Sequence, residues 1–122
     1  MCNHLVAMEI TREITVDADA DEVWRFLADQ DELAAWVGEE VRDADVRRAV
    51  DGLSWTWSPG GVESTVELTL VTEGDRTTVR VTERRATALT GARACSIGDA
   101  WDERLFGLEV RCLSRALATI PA

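Results

Sequence analysis

The segment from Met8 to Val41 constrains this chain most, because it spells out three elements in order with their boundaries. Met8, Ile10, Ile14 and Val16 alternate with Glu9, Thr11, Glu13 and Thr15. That period of two is expected of a strand with one buried face. Arg12 breaks the pattern by falling on the apolar side. Asp19-x-x-Glu22 then has the form of a capping box with Asp as the cap. Asp17, Asp19 and Asp21 place negative charge where a helix N-terminus favours it. Val23, Trp24 and Leu27 give that helix a buried stripe. Asp29-x-x-Glu32 repeats the signal for a second short helix carrying Leu33 and Trp36, which Gly38 can end.

From Glu39 to Val50 the chain is charged, with Val41, Val46 and Val50 as apolar anchors, and reads as short strands or loop. Asp51-Gly52 is a turn signal. Leu53, Trp55 and Trp57 alternate with Ser54 and Thr56, so a strand follows, and Pro59-Gly60-Gly61 turns the chain again. Val62–Thr72 reads as a long strand with Val66, Leu68 and Leu70 inward. Glu73-Gly74-Asp75 leads into Arg76–Arg84, where Val79 and Val81 face in. Together these make an antiparallel meander. Ala86–Ile97 reads as loop with a helical turn, and a long helix is expected from about Ser96 to Ala118, opened by Ser96-x-x-Asp99. Trp101, Leu105, Leu108 and Cys112 form one stripe of it, with Phe106, Val110, Leu113 and Leu117 a second beside it. So wide an apolar arc must lie across a sheet or line something. The fold class is α+β, helices packed on one face of a curved antiparallel sheet.

A chain of 122 residues, 46% hydrophobic and 30% charged, fits one globular domain with its own core. Met1–Ala7 is expected to be a disordered extension and 8–122 the domain. The net charge of −10 repels phosphate backbones and anionic bilayers, so no nucleic-acid and no membrane partner is expected. The doublets Arg47/Arg48 and Arg84/Arg85 read as solvated face or sheet rim. Cys2, Cys95 and Cys112, an odd count without CxxC spacing, argue against a disulfide framework or a zinc site. The one histidine, His4, is poorly placed for a metal site or a catalytic triad. No cofactor and no metal are expected. No signal peptide or membrane span is legible, and a cytoplasmic location is the default.

The run Ile10-x-Arg12-x-Ile14-x-Val16-Asp17-Ala18, then Glu22-Val23-Trp24, then Asp31-x-Leu33-Ala34-Ala35-Trp36 resembles the START-like superfamily, also called SRPBCC or birch-pollen-allergen-like. The branch it looks most like is the bacterial relatives of the heat-shock-protein ATPase activator. The strands Leu53–Trp57, Gly61–Leu70 and Thr77–Glu83 and the helix with Trp101 are similar to that branch too. The resemblance implies a helix-grip fold: a curved antiparallel sheet wrapped around a long C-terminal helix, with a cavity between them partly closed by the two short helices. Members bind hydrophobic small molecules, act as polyketide cyclases or dehydratases, or interact with chaperones. No universal catalytic residue comes with the resemblance. Relatives carry two fuller strands where this chain has only Glu39–Asp51, so a shortened sheet of about five or six strands is expected. The shortened edge suggests a homodimer.

Eight residues are candidates for lining a ligand cavity: Arg12, Trp55, Trp57, Glu83, Trp101, Leu105, Leu108 and Cys112. Trp55, Trp57 and Trp101 can line a pocket or simply pack. Arg12 and Glu83 both fall on apolar strand faces, and a buried charge needs a partner. They can pair with each other or offer a ligand a polar handle, and a carboxylate facing an apolar cavity can act as acid or base. The expected function is binding of a small hydrophobic or aromatic ligand without catalysis. The alternatives are a polyketide cyclase or dehydratase and a chaperone-linked interaction module.

Overall fold

A computed structural model describes the backbone of residues 7–89 and 91–118, and side chains of 9–85, 89 and 92–115. Most of the extension expected at Met1–Ala7 lies outside the described residues. Five antiparallel strands, β1 (Ala7–Val16), β2 (Arg47–Arg48), β3 (Gly52–Trp57), β4 (Ser64–Glu73) and β5 (Arg76–Leu89), form one sheet in the order β1-β5-β4-β3-β2. Three helices complete the fold: α1 (Ala20–Ala28), α2 (Gln30–Val37) and the long α3 (Gly91–Ala118).

Two of the three expected caps form, and the one expected at Ser96 does not, because Ser96 lies within α3. Asp19 accepts a hydrogen bond from the Glu22 amide at 3.0 Å, and Asp29 accepts from the amides of Asp31 and Glu32 at 2.8 and 3.1 Å. Each carboxylate satisfies amides that the first helical turn cannot. Gly38 ends α2 at φ 132°, a backbone setting that L side chains rarely adopt. Gly52 is needed for a different reason: a Cβ there would sit 1.9 Å from the Leu68 carbonyl oxygen on β4.

The meander follows the alternation. Leu53, Trp55 and Trp57 are buried on β3, Ser64, Val66 and Leu68 on β4, and Val79, Val81 and Glu83 on β5. Ile10 and Val16 of β1 join them. The outer face of the sheet is polar: Glu13 pairs with Arg80, and Glu9 and Glu67 both pair with Arg84. α3 packs on β1 and β5 of the inner face, with α1 and α2 also against it.

Three expectations change. α3 begins at Gly91 and β5 runs to Leu89, so most of the stretch read as loop is strand and helix, and Ser96 lies inside α3. Small, weakly charged residues hid both elements, because they leave no polar–apolar rhythm. The second stripe of α3 is not buried: Phe106, Val110 and Leu113 are 60%, 44% and 59% exposed, while Trp101, Leu105, Leu108 and Cys112 face the sheet. The expected partner Leu117 lies outside the described side chains. Thirdly, Arg85 is buried rather than on a rim. The short 39–51 segment supplies a single 3-10 turn, Glu39–Asp43, and the two-residue β2.

Candidate functional site

Cross-strand register builds the site. On the inner face, Trp55 of β3 lies opposite Val66, Val66 opposite Glu83, and Glu83 opposite Ile10. The next row is Trp57, Ser64 and Arg85. Glu83, only 2% exposed, sits where the two rows meet α3. Its Oε1 accepts from the Trp101 indole N–H at 2.7 Å, and its Oε2 accepts from Trp57 Nε1 at 3.2 Å and from the Ser64 hydroxyl. All three partners are donors, which suits a group used purely as acceptor. Hydrogen bonds to such a group contribute about 1.5–3 kcal/mol each, and removing it leaves the donors stranded.

The indoles form a cluster around this carboxyl. The Trp55 and Trp57 rings meet edge-on at 5.6 Å between centroids, and Trp101 lies 6.5 Å from Trp55 and 6.1 Å from Trp57. Edge-on and tilted aromatic pairs add about 0.5–1.5 kcal/mol beyond burial. The Arg104 guanidinium lies over the rings of Trp101 at 4.6 Å and Trp57 at 5.5 Å. Burial lowers its pKa, while the charges of Glu83, Glu40 and Glu103 act to raise it.

Of the eight candidate residues, Trp55, Trp57, Glu83 and Trp101 come together directly. Leu105, Leu108 and Cys112 belong to the same core on α3. Burial pushes the Cys112 thiol up to about 11. Cys95, in contrast, is disulfide-bonded, so the odd cysteine count does not exclude a single bridge. Arg12 does not pair with Glu83. It lies opposite Val81, its guanidinium reaches Asp102 at 3.4 Å and the Thr11 carbonyl at 3.0 Å, and it covers Gly98 of α3. The alternation put Arg12 on the right face, but its length carries the charge out past the strand edge.

Ser64, Arg85 and Arg104 are the residues that sequence reading missed. Ser64 and Arg85 extend the alternations 64-66-68 and 79-81-83-85, and Arg104 is one helical turn from Trp101, so each had a positional signal. Among the recesses bordered by described residues, one of about 310 Å³ lies at the free edge of β3, lined by Trp55, Ser54, Thr56, Thr65, Asp45 and Arg47. Another, about 220 Å³, lies between α1, α2 and the strand-poor stretch, with Leu27, Leu33, Ala44 and Val46 in its wall. No cluster of His, Cys, Asp and Glu able to hold a metal occurs among the described residues. No helix among them is long and apolar enough to cross a membrane.

A curved antiparallel sheet gripping a long C-terminal helix, with short helices after the first strand, defines a START-like or SRPBCC domain. Residues 7–97 match the family model "Polyketide cyclase / dehydrase and lipid transport", and the chain belongs to that family. Solved structures agree on the fold. DynU16, from the dynemicin biosynthetic locus, superposes with a TM-score of 0.73 at 21% identity over 93% of this chain and 48% of DynU16. This chain therefore spans about half the length of DynU16. CalU16 of Micromonospora echinospora gives 0.63 at 22% identity, covering 89% of this chain and 81% of that one. The Aha1 dimer of Colwellia psychrerythraea gives 0.62 at 17% identity, covering 84% and 94%. No curated protein matches the chain.

Proposed function

We propose that this domain binds a small hydrophobic or aromatic ligand against the Trp55–Trp57–Trp101 cluster, beside the Leu105, Leu108 and Cys112 face of α3, and does no chemistry on it. The use made of Glu83 carries this reading. Both of its oxygens are engaged by Trp57, Ser64 and Trp101, so the carboxyl orients indole faces rather than standing ready for proton transfer. Flat, oriented indoles suit an apolar or aromatic guest. Membership in a family described by both cyclases and lipid transport supports a lipophilic guest. Native mass spectrometry of the protein as purified, followed by tryptophan fluorescence and thermal-shift titration with a panel of lipophilic aromatics, tests the reading. A co-purifying ligand, or saturable quenching with a rise in Tm, is expected. A protein that carries nothing and responds to no compound overturns it.

A cyclase or dehydratase activity is the second reading, favoured by the family description and by the likeness to DynU16 from a biosynthetic locus. It makes Glu83 the acid or base. Glu83→Gln abolishing turnover of an identified substrate while leaving its binding intact would replace the first reading with this one. The chaperone-linked alternative draws on the Aha1 likeness and on the exposed Phe106, Val110 and Leu113. A homodimer fits the two-residue β2, which pairs only with Leu53 and Ser54 of β3. Light scattering that gives one copy at high concentration removes the dimer.

A further inference from the structure

Arg85 is the one arginine among the described residues that is buried, with 8% exposure. Its Nε is shut off from solvent and has no hydrogen-bond partner among the described residues. No carboxylate among them pairs with its guanidinium, although Glu83 lies two residues along the same strand face. Glu83 turns instead to Trp57, Ser64 and Trp101. Arg84, next in sequence, points outward and holds both Glu9 and Glu67. The chain is rich in carboxylates, 23 against 13 basic residues, yet none among the described residues pairs with Arg85. A guanidinium carries five donors and stays charged, so an Nε turned inward with no acceptor among the described residues leaves a donor open to a ligand.

We propose that Arg85 is the anion handle of the ligand site. The chemistry is that of a small acidic aromatic, a carboxylate joined directly to an apolar ring system. The carboxylate takes the fork of Arg85 at the end of the Trp57–Ser64–Arg85 row, and the ring lies on the indoles. This rests on the ligand-binding reading above and names the class of ligand. Arg104 is the second cation nearby, but its guanidinium already lies on the faces of Trp57 and Trp101. Planar bidentate pairing gives Arg85 its selectivity for a carboxylate over a neutral isostere.

The test is a tryptophan-fluorescence titration of the full chain with 2-naphthoate and with neutral 2-naphthamide. Arg85→Met keeps the length of the stem and removes the charge; Arg104→Met is the comparison. Wild type is expected to prefer naphthoate at least tenfold. Arg85→Met should erase that preference while still binding naphthamide, and its Tm without ligand should be equal or higher, since no partner is lost. Equal binding of the two probes by wild type overturns the handle but leaves the ligand site standing. So does a preference that survives Arg85→Met and disappears in Arg104→Met. Binding of neither probe overturns the handle, and a failed lipophilic panel separately removes the underlying site. A large drop in Tm for Arg85→Met, with the preference unchanged, shows the charge to be satisfied internally and also overturns the handle.

Discussion

A carboxyl stripped of water must find its donors inside the protein, and Glu83 finds three from three different elements. Glu83→Gln keeps one acceptor oxygen but turns an amide toward donors that then have nowhere to go. A loss of about 2–3 kcal/mol is expected in denaturant unfolding, with a change in tryptophan emission because two indoles lose their anchor. Cys112 makes a pH-dependent contribution. Its thiol is raised from 9.0 to about 11, chiefly by burial, with Glu22 and Glu109 adding to it. A raised folded-state value means the stabilising contribution is complete below about 9 and is lost as pH climbs from about 9 toward about 11. The chain has neither tyrosine nor lysine, so few other groups titrate in that window. Tm measured from pH 8 to 11 should fall for wild type and fall less for Cys112→Ala. The inward placement of Glu83 was legible from strand alternation alone. That of Arg85 was not taken from the same pattern, because two adjacent arginines read as one charged patch. Alternation sends Arg84 out to Glu9 and Glu67 and Arg85 in.

The elements read best where their boundaries are chemical. Asp19, Asp29 and Gly38 mark helix ends with groups that do nothing else there, so the ends could be placed from sequence. Asp29→Ala should cost about 1 kcal/mol by thermal or urea unfolding, since it strands two amides of α2. The start of α3 has no such mark, and its Gly91–Cys95 turn falls in a stretch that reads as loop with a helical turn. The width of the α3 apolar arc was read correctly and its meaning was not. A helix on an inner sheet face can bury one stripe, and the sheet ends at β1, so nothing among the described residues covers Phe106, Val110 and Leu113. Leu105→Ala should therefore lose about 2–5 kcal/mol, while Phe106→Ser should stay within about 0.5 kcal/mol of wild type. Equal losses in calorimetry would mean that the outer stripe is covered in solution.

At the scale of the molecule, the fold could be inferred because its order of elements is distinctive: one strand, twin capped helices, a meander, a long helix. The interior arrangement could not, because it depends on register between strands far apart in sequence. β1 completes the sheet beside β5, with Ile10 opposite Glu83 and Val16 opposite Thr77. β3, β4 and β5 follow one another through tight turns and can pair as soon as each turn closes. β1 must instead wait until β5, beyond both short helices and the other three strands, has been placed, and α3 then packs over both strands. Loop closure over such a span is slow, so folding in the range of milliseconds to seconds is expected. Stopped-flow refolding should show Val66→Ala and Val79→Ala slowing the folding limb. Ile14→Ala should act mainly by speeding unfolding. The strand that opens the sequence is then the last part of the sheet to be secured, and the site around Glu83 is fully walled only when the two ends of the domain have met.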